Sequence, residues 1–132
     1  GGQFNKEPGE FSRKIVKELC DMGVDIIAGH HPHTIQKLET VGKTVVAYSL
    51  GGFCMSPSGE YIVHECLPEY SMVLHVDIDD QCALHTSWEL TKGIEDADAY
   101  LSVYPVEELR KTKHEHYSEQ DIECLTRRIE GK

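Results

Sequence analysis

The sequence lacks a long apolar run, a closely spaced cysteine pair and an excess of positive charge. No apolar run approaches the roughly 20 residues of a membrane helix and no signal peptide is visible, so we expect no membrane segment in this chain. Its 13 lysines and arginines are outnumbered by 23 aspartates and glutamates, for a formal net charge of −10. Such a surface repels phosphate backbones, which excludes nucleic acid from the expected partners.

The cysteines are five in number, an odd count, and none forms a CxxC pair: Cys20, Cys54, Cys66, Cys82, Cys124. This spacing indicates reduced thiols rather than a disulfide framework or a zinc finger. On this ground a reducing, cytoplasmic compartment is favoured.

The 132 residues, 39% hydrophobic and 27% charged, are typical of a globular protein with its own core. Helical and strand patterns alternate, which indicates an α+β or α/β fold. We predict a domain portion over residues 1–95 and a helical extension over residues 96–132. No internal repeat is visible.

The predicted elements begin with a helix from Pro8 to Met22, whose apolar residues recur at helical spacing and which stops at Gly23. A short strand, VDIIAG, follows. Hairpins are predicted over residues 35–50, with Gly42 in the turn, and over residues 70–91. A long irregular loop, residues 51–69, separates them. Helices are predicted over residues 105–116 and, capped by Ser118, over residues 118–131.

The stretch DIIAGHHPHTIQ, residues 25–36, crowds three histidines around a proline directly after the predicted strand. Pro32 favours an extended backbone at His31, and on an extended chain residues i and i+2 point the same way. His31 and His33 can therefore reach one metal ion or two neighbouring ions, and neutral imidazole suits zinc, iron or manganese. Gly29 lets the backbone pass close to a ligand at the carboxyl end of the strand.

An HxH pair alone is a weak signal, because exposed or hydrogen-bonded histidines are commoner than metal ligands. The same spacing occurs at His114 and His116, in a segment predicted to be helical, where i and i+2 diverge. We interpret that second pair as structural. His64, His75 and His85 have no partner pattern and are interpreted as ordinary loop or strand residues.

The stretch GVDIIAGHHPHTIQKLETVGKTVVAYSLGGF, residues 23–53, resembles the capsule or poly-γ-glutamate synthesis (CapA-type) family of bacteria. Its HPH and YSLG elements stand in the family's order and spacing, and GGQFNKEPGE at residues 1–10 is an outlying match. That family is similar in turn to the calcineurin-like metallophosphoesterases. The resemblance implies the carboxyl-terminal half of a four-layer sandwich, with antiparallel hairpins and flanking helices.

The resemblance also implies that His31 and His33 are the closing histidine pair of a metal site. In the full-length protein that site would hold manganese, zinc or iron, which would polarise a phosphoryl or acyl oxygen and lower the pKa of bound water. Four further residues are candidates either for supporting the metal ligands or for contacting a substrate: His30, Gly29, Gly52, His64. The long loop adds Tyr61 and Glu65 by position, although a mobile surface loop explains those residues equally well.

Two departures from the family weaken the metal site. The family's SLGNF is SLGGF here, so Gly52 replaces an asparagine and any hydrogen bond of its amide is lost. The family's other ligands, an aspartate, asparagines and further histidines, have no counterpart in this chain. Two histidines alone bind metal weakly, so we expect at most micromolar-grade affinity and no catalysis by this chain alone.

Three interpretations of function follow. The full-length protein is a metal-dependent hydrolase-like enzyme acting on an anionic polymer or a phosphorylated substrate. Alternatively, the segment is a non-catalytic binding or assembly module with a degenerate site, which Gly52 and the acidic surface favour slightly. A third interpretation is a homodimer formed through exposed strand edges. The cysteines favour the cytoplasm, whereas the family resemblance allows a membrane-anchored protein outside the cell.

Overall fold

The computed structural model describes residues 2–132 as an α+β fold. In chain order its elements are α1 (Glu10–Asp21), β1 (Ile26–Ala28), β2 (Leu38–Val41), β3 (Thr44–Ala47), β4 (Tyr70–Ile78), β5 (Leu84–Glu95), β6 (Leu101–Pro105), α2 (Val106–Thr112) and α3 (Glu119–Glu130). A short 3-10 helix, His64–Cys66, lies in the long loop before β4. The predicted α+β class is confirmed.

The first sheet has the order β1-β3-β2. Strands β2 and β3 form the predicted hairpin, in which Val41 lies opposite Thr44 and Gly42 takes a φ of 62° in the turn. Strand β1 runs parallel to β3, with Ile26 opposite Val45. Within residues 2–132, β1 pairs with β3 and with no other strand, so it forms an edge of this sheet. The histidine loop leaves from its carboxyl end.

The second sheet is antiparallel, in the order β4-β5-β6. Its hairpin runs from Tyr70 opposite Lys92 to Ile78 opposite Leu84, which confirms the hairpin predicted over residues 70–91. Strand β6 was not predicted. Residues 96–132, expected to be a helical extension, therefore contain a strand of this sheet as well as two helices. The amide of Met72 donates to the Leu50 carbonyl at 2.8 Å, which joins the two sheets.

Helix α1 confirms the predicted helix with slightly narrower bounds, and Gly23 follows it with a φ of 87°. Its apolar stripe is largely uncovered. Phe11 is 70% exposed and Met22 79% exposed, whereas Val16 is buried. The exposed stripe lies next in sequence to the edge strand β1.

Helix α2 is shorter than predicted. It ends at Thr112, because Lys113 takes a left-handed φ of 51°, so His114 and His116 lie in the loop before α3. The expectation that these two side chains diverge on a helix was wrong. Their rings stack, with centroids 5.5 Å apart and planes 28° apart.

The core joins both sheets to α2 and α3. Helix α3 begins at Ser118, whose hydroxyl accepts a hydrogen bond from the Asp121 amide at 3.3 Å, as its capping pattern predicted. Leu125 and Ile129 of α3 are buried against strand residues of both sheets, so the last helix is part of the core.

Two further features concern membranes and thiols. No helix within residues 2–132 is long and apolar enough to cross a membrane. All five cysteines are free thiols, and three of them are exposed: Cys54, Cys82, Cys124.

Candidate metal-ligand loop

The histidine loop starts at Gly29, where β1 ends against β3. The amide of Gly29 donates to the Ala47 carbonyl at 2.7 Å, and its carbonyl accepts from the Leu50 amide at 3.1 Å. A Cβ atom at Gly29 would lie 2.2 Å from the Tyr48 carbonyl oxygen. The two backbones approach so closely that only glycine fits at this position. This requirement comes from the contact with Tyr48 and does not depend on a bound ligand.

His31 and His33 lie close together on the loop, with ring centroids 6.0 Å apart and planes 49° apart. His31 is exposed and His33 is half-buried. The expectation that Pro32 makes the backbone at His31 extended was wrong, because His31 takes a φ of 99° and His33 a φ of 56°. The two rings are neighbours because the chain turns sharply at both residues. They are not neighbours through an extended strand on which residues i and i+2 point the same way.

The segment before α1 folds over this turn. The Phe4 amide donates to the Pro32 carbonyl at 2.7 Å, and the Phe4 ring lies 6.2 Å from that of His33. The Gln36 side chain donates to the Asn5 carbonyl at 2.8 Å. These hydrogen bonds hold the left-handed backbone in place.

Arg128 of α3 fixes the far side of the loop. Its Nη1 lies 2.9 Å from Thr34 Oγ1 and 3.2 Å from the Cys66 carbonyl, and Thr34 in turn donates to that carbonyl at 2.5 Å. Thr34 and Ile35 are fully buried. Neither Phe4 nor Arg128 was predicted to support the loop, and no sequence spacing joins residues 94 positions apart.

Tyr48 lies beside the amino-terminal side of the loop and lines a small cavity of about 70 Å³ with His30 and His31. Its hydroxyl donates to Glu39 at 2.9 Å. Burial and the hydrogen bond to the Glu39 carboxylate raise the pKa of Tyr48 to about 12. Burial alone would raise the pKa of Glu39, but hydrogen bonds from Lys37 and Tyr48 lower it. At neutral pH Tyr48 is therefore a neutral donor committed to Glu39.

The other candidate residues divide into two groups. His30, His33 and Gly52 line one shallow depression of about 300 Å³, and Tyr61 lines an adjoining one of about 400 Å³ that also includes His33. His64 and Glu65 lie on the 3-10 helix, exposed to solvent, and line neither depression. The geometry thus gathers His30, Gly52 and Tyr61 around His33, whereas His31 lines the small cavity beside Tyr48.

Residues 1–57 match the model of the bacterial capsule synthesis protein family, PGA_cap. The matched segment contains the histidine loop and both strands that flank it. Over these 57 residues the chain is similar to the capsule-synthesis family.

Several curated proteins are similar to part of this chain. The PGA biosynthesis protein CapA of Bacillus subtilis (strain 168) is 40% identical over 53 residues, which is 40% of this chain and 14% of that protein. The capsule biosynthesis protein CapA of Bacillus anthracis is 29% identical over 72 residues, or 54% of this chain and 18% of that protein. The uncharacterized protein y4sH of Sinorhizobium fredii is 27% identical over 100 residues.

The chain spans about a fifth or less of the length of these curated relatives. No solved structure matches it. The similarity to the family therefore concerns a segment, and the histidine loop is the part of that segment that carries the two candidate metal ligands.

The histidines of the loop are of the ligand type that a divalent metal prefers, but two of them are too few to fill its coordination shell. Imidazole nitrogen is a suitable ligand for zinc, iron or manganese, and a structural zinc site takes about four ligands. Among residues 2–132, no three histidine, cysteine, aspartate or glutamate side chains are grouped closely enough to hold a metal ion. His31 and His33 can therefore supply part of a coordination shell, and further ligands have to complete it.

Proposed function

We propose that this chain supplies two metal ligands, His31 and His33, to a divalent metal site in a protein of capsule or poly-γ-glutamate biosynthesis. The observation that carries the proposal is the pairing of the two imidazoles on a turn with left-handed backbone inside the segment that matches the family. Manganese, zinc and iron are the metals that this donor type favours.

Backbone strain supports a role for this turn. A side-chain-bearing residue with positive φ costs of the order of 1 kcal/mol or more, and such residues are concentrated at functional sites. The His31 φ of 99° lies outside the usual left-handed well near 57°, while His33 lies inside it. Hydrogen bonds from Phe4 and Arg128 hold the loop in this conformation, as expected for a preorganised pair of ligands.

The rest of the site, and the metallophosphoesterase-like sandwich, belong to the same proposal. Strand β1 pairs only with β3 among the described strands, and the apolar stripe of α1 is exposed. Both features suit a sheet and a helix layer that continue into further protein. In that setting a bound metal would polarise a phosphoryl or acyl oxygen of an anionic substrate.

A second candidate function is a non-catalytic binding or assembly module of the same biosynthesis. It is favoured by the absence, within residues 2–132, of any group of three possible metal ligands. Gly52, in place of the family's asparagine, supports it further. In this alternative the loop conformation serves to bind a partner rather than a metal.

The test is a complementation experiment that measures capsule polymer. A bacterium from which the capsule-synthesis protein has been deleted receives the full-length protein that contains this segment. We expect His31→Ala together with His33→Ala to abolish polymer production and to lower the metal content of the purified protein. His114→Ala together with His116→Ala removes a pair of the same spacing outside the matched segment and should change neither quantity. Polymer production without bound metal in the His31 and His33 variant would overturn the metal proposal and favour the module.

A further inference from the structure

A basic cleft lies between α3 and the segment before α1, on a chain whose net charge is −10. Its volume is about 570 Å³, and four cationic side chains line it: Lys6, Arg127, Arg128, Lys132. Two carboxylates, Glu7 and Glu123, line it as well. The cleft therefore carries an excess of two positive charges where the surface as a whole is acidic.

The carboxylates of the cleft neutralise its cations only in part. Glu7 pairs with Arg13 at 3.5 Å, outside the cleft, and Glu123 lies 4.0 Å from Arg127, at the limit of an ion pair. Lys132 has a closer partner in Glu130, at 2.7 Å, but both side chains are exposed. Exposed pairs of this kind exchange readily with other anions.

Arg128 is the fixed part of the cleft. Its Nη1 is held by Thr34, Ile35 and Cys66 in the interior, at 2.9 to 3.4 Å. Its Nη2 makes one long contact, 3.9 Å to the Cys124 sulfur, and both residues line the cleft. A guanidinium held on one nitrogen presents the other in a set orientation, which suits a carboxylate and lowers the entropic cost of binding it.

The cations form a row rather than a single cluster. Arg127, Arg128 and Lys132 follow the last turn of α3 and the residues just after it, and Lys6 comes from the other wall. Four helical residues rise about 6 Å, so a ligand with several anionic groups spaced along a chain fits this row better than one compact ion.

We propose that the basic cleft binds the carboxylates of a polyglutamate chain. The identity of the polymer rests on the biosynthetic function proposed above, but the cleft shares no ligand with the metal pair. The cleft would hold a stretch of polymer while the acidic surface around it repels neighbouring strands. Arg127 also offsets the negative end of the α3 dipole, so the test has to measure binding together with stability.

The experiment measures binding of a fluorescent glutamate oligomer of about ten residues to the protein by anisotropy, at low ionic strength. Lys6→Gln with Arg127→Gln should raise the dissociation constant about tenfold, because each exposed charge contributes a factor of a few. Lys14→Gln with Arg110→Gln removes the same charge from exposed sites elsewhere and should change it less than about twofold. Thermal unfolding of both variants shows that each is folded.

Other outcomes separate this proposal from its alternatives. Equal weakening by the two double variants, or no oligomer binding at all, would overturn it. Competition by inorganic phosphate at the same concentration as the oligomer would identify a general phosphate site instead. His31→Ala with His33→Ala should leave oligomer binding unchanged, so a failed metal site and a failed basic cleft give different results.

Discussion

Arg128 Nη1 lies 2.9 Å from the hydroxyl oxygen of Thr34, the residue that directly follows His33. The same nitrogen reaches the carbonyls of Ile35 and Cys66. Helix α3, at the end of the chain, thereby holds the histidine loop near its beginning. The conformation of the candidate ligands depends on a contact that crosses the whole fold.

Replacing Arg128 with methionine should destabilise the protein. The change leaves the Thr34 hydroxyl and two carbonyls without a charged donor, and hydrogen bonds to charged groups contribute about 1.5–3 kcal/mol. We expect the free energy of unfolding, measured in urea, to fall by about 2–3 kcal/mol. Arg127→Met, at a side chain 72% exposed, should change it by less than about 0.5 kcal/mol. Similar losses in both variants would contradict the role of Arg128.

Replacing Gly29 with alanine should be more disruptive than its size suggests. The new methyl group would lie 2.2 Å from the Tyr48 carbonyl, so β1 and β3 have to move apart. Overpacking of this kind lowers the free energy of unfolding by about 1–3 kcal/mol or more. Gly9→Ala, where a Cβ meets nothing within 4 Å, is the matched control. A thermal unfolding midpoint that is equally high in both variants would refute the proposed contact.

The stability of the protein should fall as the pH rises from about 10 to about 12. An ordinary tyrosine ionises near pH 10, whereas the pKa of Tyr48 is raised to about 12 by burial and by Glu39. The folded protein therefore holds the proton more tightly than the unfolded chain, and this contribution is complete below pH 10 and lost through pH 12. Burial and Asp121 also raise the pKa of Tyr70.

An ultraviolet titration of the six tyrosines checks this prediction. Tyr48→Phe should remove one late-ionising group. Glu39→Gln should move that group to lower pH, though not to the ordinary value, since burial is the larger cause. A late phase that survives Tyr48→Phe at full amplitude would disprove the assignment.

The exposed stripe of α1 should cause self-association at high protein concentration. Phe11 is 70% exposed and Met22 79% exposed, and β1, the next strand along the chain, is an edge strand among the described strands. Light scattering should show dimers of the wild-type chain and mostly monomers of Phe11→Ser with Met22→Ser. Because both side chains lie in solvent, the thermal midpoint should hardly change. A wild-type chain that stays monomeric at high concentration would argue against a homodimer.

Local signals predicted much of the fold. Periodicity and capping residues predicted α1 and α3, and Gly42 predicted the turn between β2 and β3. Strand β6 was missed, because LSVYP follows an acidic turn and itself ends in a proline, which favours the start of a helix. The end of α2 was misplaced, because Lys113 takes a left-handed conformation without the glycine that normally signals one.

The sequence proposed the candidate ligands but did not predict the geometry of the loop that carries them. HPH and the preceding strand singled out His31 and His33, whereas Pro32 suggested an extended backbone that the loop does not have. The positive φ values are held by Phe4 and Arg128, which are distant in sequence. Contacts of that kind arise from tertiary packing, so no local pattern contains them.

Calorimetric titration of this chain with zinc or manganese tests the central claim most directly. We expect binding no tighter than micromolar, because two imidazoles form an incomplete shell. It should be lost in His31→Ala with His33→Ala and kept in His114→Ala with His116→Ala, the other pair of the same spacing. Binding that survives the first double variant, or disappears in the second, would contradict the assignment of His31 and His33 as the metal ligands.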